Sequence, residues 1–412
     1  MSTDEFRKIV IFGSYNKQSV GDKAILISII DLLFKNSIEK IYVEVICFDV
    51  EAIKEELKVF SWFASVNVVP FQEKSSSNSV RQSPSRGKSK WKKIIPLGIL
   101  QTLNSLKFYF KYKPNFDTKA DLLIIGGGNL LMDLFPSWLI MPFLITRKFK
   151  CPYVIAGVGA FPIKTNLGNF LIKQLLKKSS FNFVRDQNTY DLIKNKYKID
   201  CHLHPDFAFS YPNNLKQTDE MVEDIVAVNV APVFGEHWPY RNIVKYNNFI
   251  NIISESLHAE ILSKNATSKI LFFDSNYPTD RLGAIDVINH LMAKGIDKSR
   301  LIYEDKLISS YGLIQMFLKV KYCIVTRLHA GILGLDANLP VLGIAYQPKV
   351  KDVFDLVGLG GNVIDIEDID SLPNLLRDYS RNRDKYILND EVKLNLERKN
   401  QEVIEKILKI IN

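Results

Sequence analysis

Cysteine is scarce in this chain and scattered. Four occur in 412 residues, at positions 47, 151, 201 and 323, and no two share a CxxC spacing. Cys47 and Cys323 lie inside apolar, strand-like runs, so buried, inert thiols are expected rather than a disulfide framework or a zinc site. Long apolar runs are missing as well. Uncharged runs such as Ile94–Leu106 and Leu134–Thr146 have 13 residues each, and none reaches the roughly 18 that a membrane span needs. The first residues, Met-Ser-Thr-Asp-Glu-Phe-Arg-Lys, lead into a strand with no apolar signal region, which predicts a cytoplasmic protein. Acidic residues vanish from one stretch: Lys74 to Phe116 holds ten Lys or Arg and no Asp or Glu. The net charge of +9 is therefore local, the remainder is near neutral, and no nucleic-acid partner is expected. No GxxxxGK[ST], HExxH or GxSxG motif occurs, which removes the P-loop, zinc-protease and serine-hydrolase readings. His237, His258 and His290 stand alone.

What the chain does contain is a repeated strand, loop and helix. Lys8–Phe12, Ile41–Phe48, Val66–Val69, Asp121–Ile125, Pro152–Ala156, Phe181–Val184 and His202–Phe209 read as strands, and Lys23–Phe34, Ile53–Phe60, Phe170–Lys178 and Asn188–Lys196 as helices. A polar loop from Tyr211 through Thr218 marks a boundary. The cycle then restarts. Strands are expected at Ile225–Val230, Lys269–Phe273 and Leu301–Tyr303, and helices at Ile243–Lys264, Thr279–Met292 and Ser309–Leu318. Lys349–Val357 and Ile369–Asp378 follow as helices. The reading is α/β: two Rossmann-like, doubly wound domains facing a cleft. The first spans 1–212, with a basic, partly mobile insertion at about 73–113, and the second spans 213–389. A last amphipathic helix over 390–412 is placed back on the first domain. Within the insertion, Trp91–Lys113 interleaves aromatic and basic residues. It fits a packed helix with a solvated basic face and, equally, a helix on an anionic membrane surface.

Tyr322–Lys349 organises the second half. An apolar run reaches Thr326, then Arg327-Leu328-His329 opens an apolar helix, and a second apolar run after Pro340 ends at Lys349. This is a βαβ unit, so Arg327 and His329 fall at the carboxyl end of a strand, where open parallel sheets bind ligands. Arg327 offers a planar fork for a carboxylate or phosphate. His329 is a residue type that can move a proton near neutral pH, and Lys349 closes a cationic corner. The plainer alternative is an Arg paired with a carboxylate and a structural His.

Weaker constellations surround it. Asn16…Gly21-Asp22 joins a strand to a helix, as an anion or sugar loop or as a connector with Asp22 near the cap. Gly126-Gly127-Gly128-Asn129…Asp133 follows a strand and permits close approach of a ligand or tight packing, with Asp133 a candidate acid or base. Its spacing is not the dinucleotide GxGxxG. Arg185 ends a strand, as an anion contact or a partner of Asp186 or Asp191. Asp206 reads as a site carboxylate or an Asx turn.

Taken in order, these pieces resemble the polysaccharide pyruvyl transferase family: Asn16…Gly21-Asp22-x-Ala24-Ile25, Gly126-Gly127-Gly128-x4-Asp133, Val184-Arg185-Asp186, Pro205-Asp206-x-Ala208-Phe209, Arg327-Leu328-His329-Ala330 and Pro340…Tyr346-x-x-Lys349. They cover roughly residues 8 to 360, and the stretch from Glu73 to Lys113 belongs to no motif of the family. The resemblance implies a GT-B-like fold and transfer of pyruvate from phosphoenolpyruvate to two hydroxyls of one sugar, as a cyclic ketal. The sugar would belong to an exopolysaccharide, capsule or cell-wall glycan. No metal or other cofactor is expected, since Arg and Lys can neutralise the donor. On that reading His329 is the general acid or phosphate contact and Arg327 the donor clamp. Arg185 and Lys349 are further anion contacts, and Asp133 and Asp206 serve the acceptor hydroxyl. The Asn16, Gly21, Asp22 and Gly126–Asn129 loops contact substrate. A lipid-linked acceptor would place the enzyme at the inner face of the membrane through segment 74–113. The rival readings are a GT-B glycosyltransferase using a nucleotide sugar and a non-catalytic scaffold of polysaccharide assembly.

Overall fold

The fold is seen in a computed structural model, which describes residues 6–71, 118–133, 136–160, 163–212, 223–236, 238 and 240–411. The basic segment 74–113 and most of the Tyr211–Thr218 boundary loop lie outside the described residues.

The chain forms two compact units, each built on its own parallel sheet. The first sheet has seven strands: β1 (Arg7–Phe12), β2 (Ile41–Cys47), β3 (Val66–Pro70), β4 (Leu122–Gly126), β5 (Tyr153–Val158), β6 (Asn182–Val184) and β7 (His202–Leu203). Their order is β3-β2-β1-β4-β5-β6-β7, so the strand order reverses between β1 and β4. The chain's first helices are α1 (Val20–Asn36), α2 (Val50–Leu57), α3 (Pro136–Lys148), α4 (Asn166–Lys178) and α5 (Gln187–Asp191). Helix α4 shows why they form. Thr165 caps it by accepting from the Gly168 N–H, and Leu171, Ile172, Leu175 and Leu176 bury one face. Lys177 and Lys178 then complement the dipole of its last turn. Strand residues such as Val10, Leu123 and Ile155 meet α3 and α4 in one core.

The second sheet has six strands: β8 (Ile225–Asn229), β9 (Lys269–Phe272), β10 (Leu301–Tyr303), β11 (Tyr322–Val325), β12 (Val341–Ala345) and β13 (Val363–Asp365). The order β10-β9-β8-β11-β12-β13 is the doubly wound one, and here the reversal lies between β8 and β11. Its helices are α6 (Ile243–Leu257), α7 (Asp280–Ala293), α8 (Ser310–Phe317), α9 (Leu328–Asp336), α10 (Pro348–Leu356), α11 (Leu372–Arg381) and α12 (Asp390–Leu408). Helix α6 starts at the capping side chain of Asn242 and buries Tyr246, Phe249, Ile250, Ile253 and Leu257. The single helix expected over Ile243–Lys264 changes to a π-helical turn at His258–Leu262.

Three further differences from the sequence reading have local causes. β13 carries no pattern to read, being three residues long with only Ile364 buried. The strand expected over His202–Phe209 stops at Leu203, because Asp206 accepts from the Ala208 N–H and starts a 3-10 turn at Phe207–Ser210. That turn belongs to the second unit, so the division falls between Leu203 and His204, earlier than position 212. The second unit also includes Asn16–Lys35, while Glu405–Asn412 group with the first.

Candidate active site

The carboxyl edge of the second sheet, at its reversal point, is polar and buried. β8 ends in Asn229 and β11 runs into Thr326 and Arg327. The Thr326 hydroxyl accepts from the Ala231 N–H (2.7 Å), and Asn229 Oδ1 accepts from the Arg327 N–H (3.2 Å). Asp280, the first residue of α7 and fully buried, joins these strands. Its Oδ1 accepts from Arg327 Nε (2.9 Å) and Nη2 (2.6 Å). Its Oδ2 accepts from Asn229 Nδ2 (3.0 Å) and from the Ser275 and Asn276 N–H groups (3.2 and 3.0 Å). Burial alone would lower the Arg327 pKa, but the Asp280 charge more than offsets this and raises it. Arg327 Nη1 donates to the Tyr346 phenol (3.2 Å), and the guanidinium carbon lies 5.9 Å from the Trp238 ring centroid. Three of its five N–H groups are thus used, and two remain for an anion.

His329 sits in the first turn of α9, two residues beyond Arg327. Its Nε2 lies 3.4 Å from Asp206 Oδ2, and Asp206 is 2% exposed. A carboxylate in that position orients the imidazole. Gly21 closes the other side: a Cβ there would stand 2.1 Å from His329 Cγ and Nδ1. Glycine at this position therefore serves the approach of a helix start to the imidazole. The start of α1 is capped by Ser19 Oγ, which accepts from the Asp22 N–H at 3.3 Å, so Asp22 is a first-turn residue and not the cap. Asn16 Oδ1 shapes the preceding turn by accepting from the Gln18 and Ser19 N–H groups (2.8 and 3.2 Å). The same turn pairs with the loop after β9, where Val20 N–H donates to Ser275 O and Tyr277 N–H to Gln18 O. Asp206 is in turn braced by Asn400 of α12, fully buried, whose Nδ2 donates to the Asp206 carbonyl (3.2 Å) and to Ser210 Oγ (3.0 Å). Lys349 is half-buried in the first turn of α10.

The candidates of the first unit form a separate group. At its reversal point the gap is filled by Tyr15, which is fully buried. A Cβ on Gly13 would stand 2.1 Å from Gly126 O, and one on Gly127 2.8 Å from the Tyr15 ring. Gly127 and Gly128 have φ of 78° and 68°, so the loop needs glycine for its backbone as well. At Gly127 the close approach is to a tyrosine of this chain. Arg185 is buried, and its Nη2 donates to Asn129 Oδ1 at 3.2 Å. Asp186 Oδ1 caps α5 by accepting from the Thr189 N–H and hydroxyl, both at 2.8 Å. Asp133 Oδ2 accepts from the Lys164 and Thr165 N–H groups (2.8 and 2.6 Å), which fixes the turn entering α4. That engagement gives Asp133 a structural task at this turn.

Among the described residues no group of three His, Cys, Asp or Glu could hold a metal, and no helix is long and apolar enough to cross a membrane. Cys47, Cys201 and Cys323 are buried and Cys151 is half-buried, all as free thiols. Burial pushes the Cys47 pKa up to about 12 and that of Cys151 up to about 11, which leaves them unreactive.

Two Rossmann-like parallel sheets define a GT-B-like α/β protein, and solved structures share that fold. The chain is similar to UDP-GlcNAc 2-epimerase from Methanocaldococcus jannaschii, with a TM-score of 0.56, 11% identity and coverage of 98% of this chain and 99% of that one. It is also similar to Anabaena Alr3699/HepE in complex with UDP and glucose, with a TM-score of 0.58, 12% identity and coverage of 97% and 98%. Residues 20–348 match the polysaccharide pyruvyl transferase family, and the chain belongs to it. Among curated proteins it is similar to the amylovoran biosynthesis protein AmsJ of Erwinia amylovora, at 19% identity over 88% of this chain and 89% of that protein.

Proposed function

We propose that this transferase moves pyruvate from phosphoenolpyruvate onto two hydroxyls of one sugar in a polysaccharide, forming a cyclic ketal. The observation that carries the reading is the turn Arg327–His329, with its imidazole set between Asp206 and Gly21. The donor carries a carboxylate and a phosphate, which the free N–H groups of Arg327, the start of α9 and Lys349 suit. In the reaction C2 takes two sugar oxygens, and the C2–O bond to phosphate breaks. One hydroxyl proton ends on C3, which becomes a methyl group, and the other leaves with phosphate. His329, oriented by Asp206, is the group that moves a proton here. No metal or other cofactor enters.

The test is incubation with phosphoenolpyruvate and candidate glycans, following phosphate release and the mass of one added pyruvate ketal. A thermal shift with phosphoenolpyruvate and none with uridine nucleotides supports the reading, and the reverse pattern overturns it. We extend the proposal to a lipid-linked acceptor at an anionic membrane surface, reached from the cytoplasm through segment 74–113. Reversing the charge of its lysines should release the protein from anionic vesicles, and unchanged binding would remove the extension.

A further inference from the structure

The carboxyl edge of the second sheet holds two buried carboxylates with unlike surroundings. Asp280 meets five hydrogen-bond donations, two of them from Arg327. Asp274, in the loop after β9, is 1% exposed, and both its oxygens lie 3.2 Å from one phenol, that of Tyr303 on β10. Arg281 of α7 also faces Asp274, but its side chain is tied to Asp305 at 2.7 Å. Asp280 faces both Asp274 and Arg327.

We propose that Asp274 sets the charge of the anion site at Arg327. Protonated, it leaves the Arg327–Asp280–Asp274 cluster neutral and open to an anionic ligand. Ionised, it gives the cluster one net negative charge, which opposes that ligand. Burial, and then the Asp280 charge, push the Asp274 pKa up to about 7, and Tyr303 and Arg281 pull it back only in part. Asp280 accepts from the N–H of Ser275, the residue next to Asp274, and two neighbouring carboxylates in a dry site do not both ionise easily. The inference rests on reading Arg327 as an anion contact and makes donor binding a proton-linked event.

Sulfate tests it, because it stays a dianion from pH 6 to pH 8.5 and leaves only the protein to titrate. Binding is measured by calorimetry in a His329→Gln background, which removes the imidazole. The parent should bind sulfate about tenfold more weakly at pH 8.5 than at pH 6, and Asp274→Asn should show less than about a twofold change. Tyr303→Phe removes the hydrogen bond that favours the ionised form, so the fall should move to higher pH. The same fall in Asp274→Asn, no fall in the parent, or no sulfate binding at pH 6 would each overturn the proposal. Phosphoenolpyruvate run in parallel separates the two readings. An Asp274-dependent sulfate response without phosphoenolpyruvate binding keeps this inference and removes the donor reading. Phosphoenolpyruvate binding with a pH response untouched by Asp274→Asn does the opposite.

Discussion

Gly21 has no room for a single added carbon. Alanine there would drive a methyl group to 2.1 Å from the imidazole of His329, and the ring must turn away from Asp206. Gly21→Ala should therefore lower kcat/KM by about 100-fold while the fold loses only about 1–3 kcal/mol, the usual cost of overpacking. Near-parent turnover in a steady-state assay would remove His329 from the chemistry. Asp280 tells a stability story. Asp280→Asn leaves the guanidinium of Arg327 buried without its counter-charge, which should cost about 3–5 kcal/mol in urea denaturation. Asp274 is the opposite case, since its folded pKa of about 7 stands above the ordinary carboxylate value of about 3.9. The folded state then holds a proton that the unfolded state has lost. Its stability contribution is whole below about pH 4 and disappears as pH rises through about 7. Asp274→Asn should consequently gain on the parent by up to about 4 kcal/mol between pH 4 and pH 8, read as a widening gap in Tm. A constant gap would mean that Asp274 titrates normally.

At the scale of elements, the loops that build the site come from distant parts of the chain. The βαβ unit from Tyr322 to Ala345 was legible, because buried strands read as apolar runs and a cation after such a run falls at the ligand edge. Asp280, Asp274 and Asn400 were not, since each meets the site only through tertiary packing and no local spacing announces it. Asn400 lies in a helix whose sequence, Leu396-Glu-Arg-Lys-Asn400-Gln-Glu, reads as a solvated face, yet its amide is fully buried. The triple glycine was legible as a place of close approach, but nothing local named Tyr15 as the neighbour. Helix α12 therefore acts on the site through one side chain. Asn400→Leu should remove the Asn400 donations to the Asp206 carbonyl, which keeps the Phe209 N–H, and to Ser210 Oγ, costing about 1–3 kcal/mol, and should lower kcat more than it raises KM. An unchanged kcat would make Asn400 a purely structural residue.

At the scale of the whole molecule, the chain builds the same strand order twice and uses the two reversal points differently. In the first unit the buried ring of Tyr15 lies at the gap between β1 and β4, against Gly13 and Gly127. In the second unit the corresponding gap is lined by Asn229, Thr326, Asp280 and Arg327, all polar and linked by hydrogen bonds. Topology alone cannot tell the two apart, because both sheets expose the same edge of the same order. The side chains differ, and the anion contacts proposed above lie in the second unit. Stabilisation by phosphoenolpyruvate in a thermal-shift assay should therefore disappear in Arg327→Ala and persist in Arg185→Ala, although both lose a buried or nearly buried arginine. Loss of the shift in Arg185→Ala with the fold intact would overturn that expectation. Retention in Arg327→Ala would instead leave Arg327 as the partner of Asp280 and nothing more.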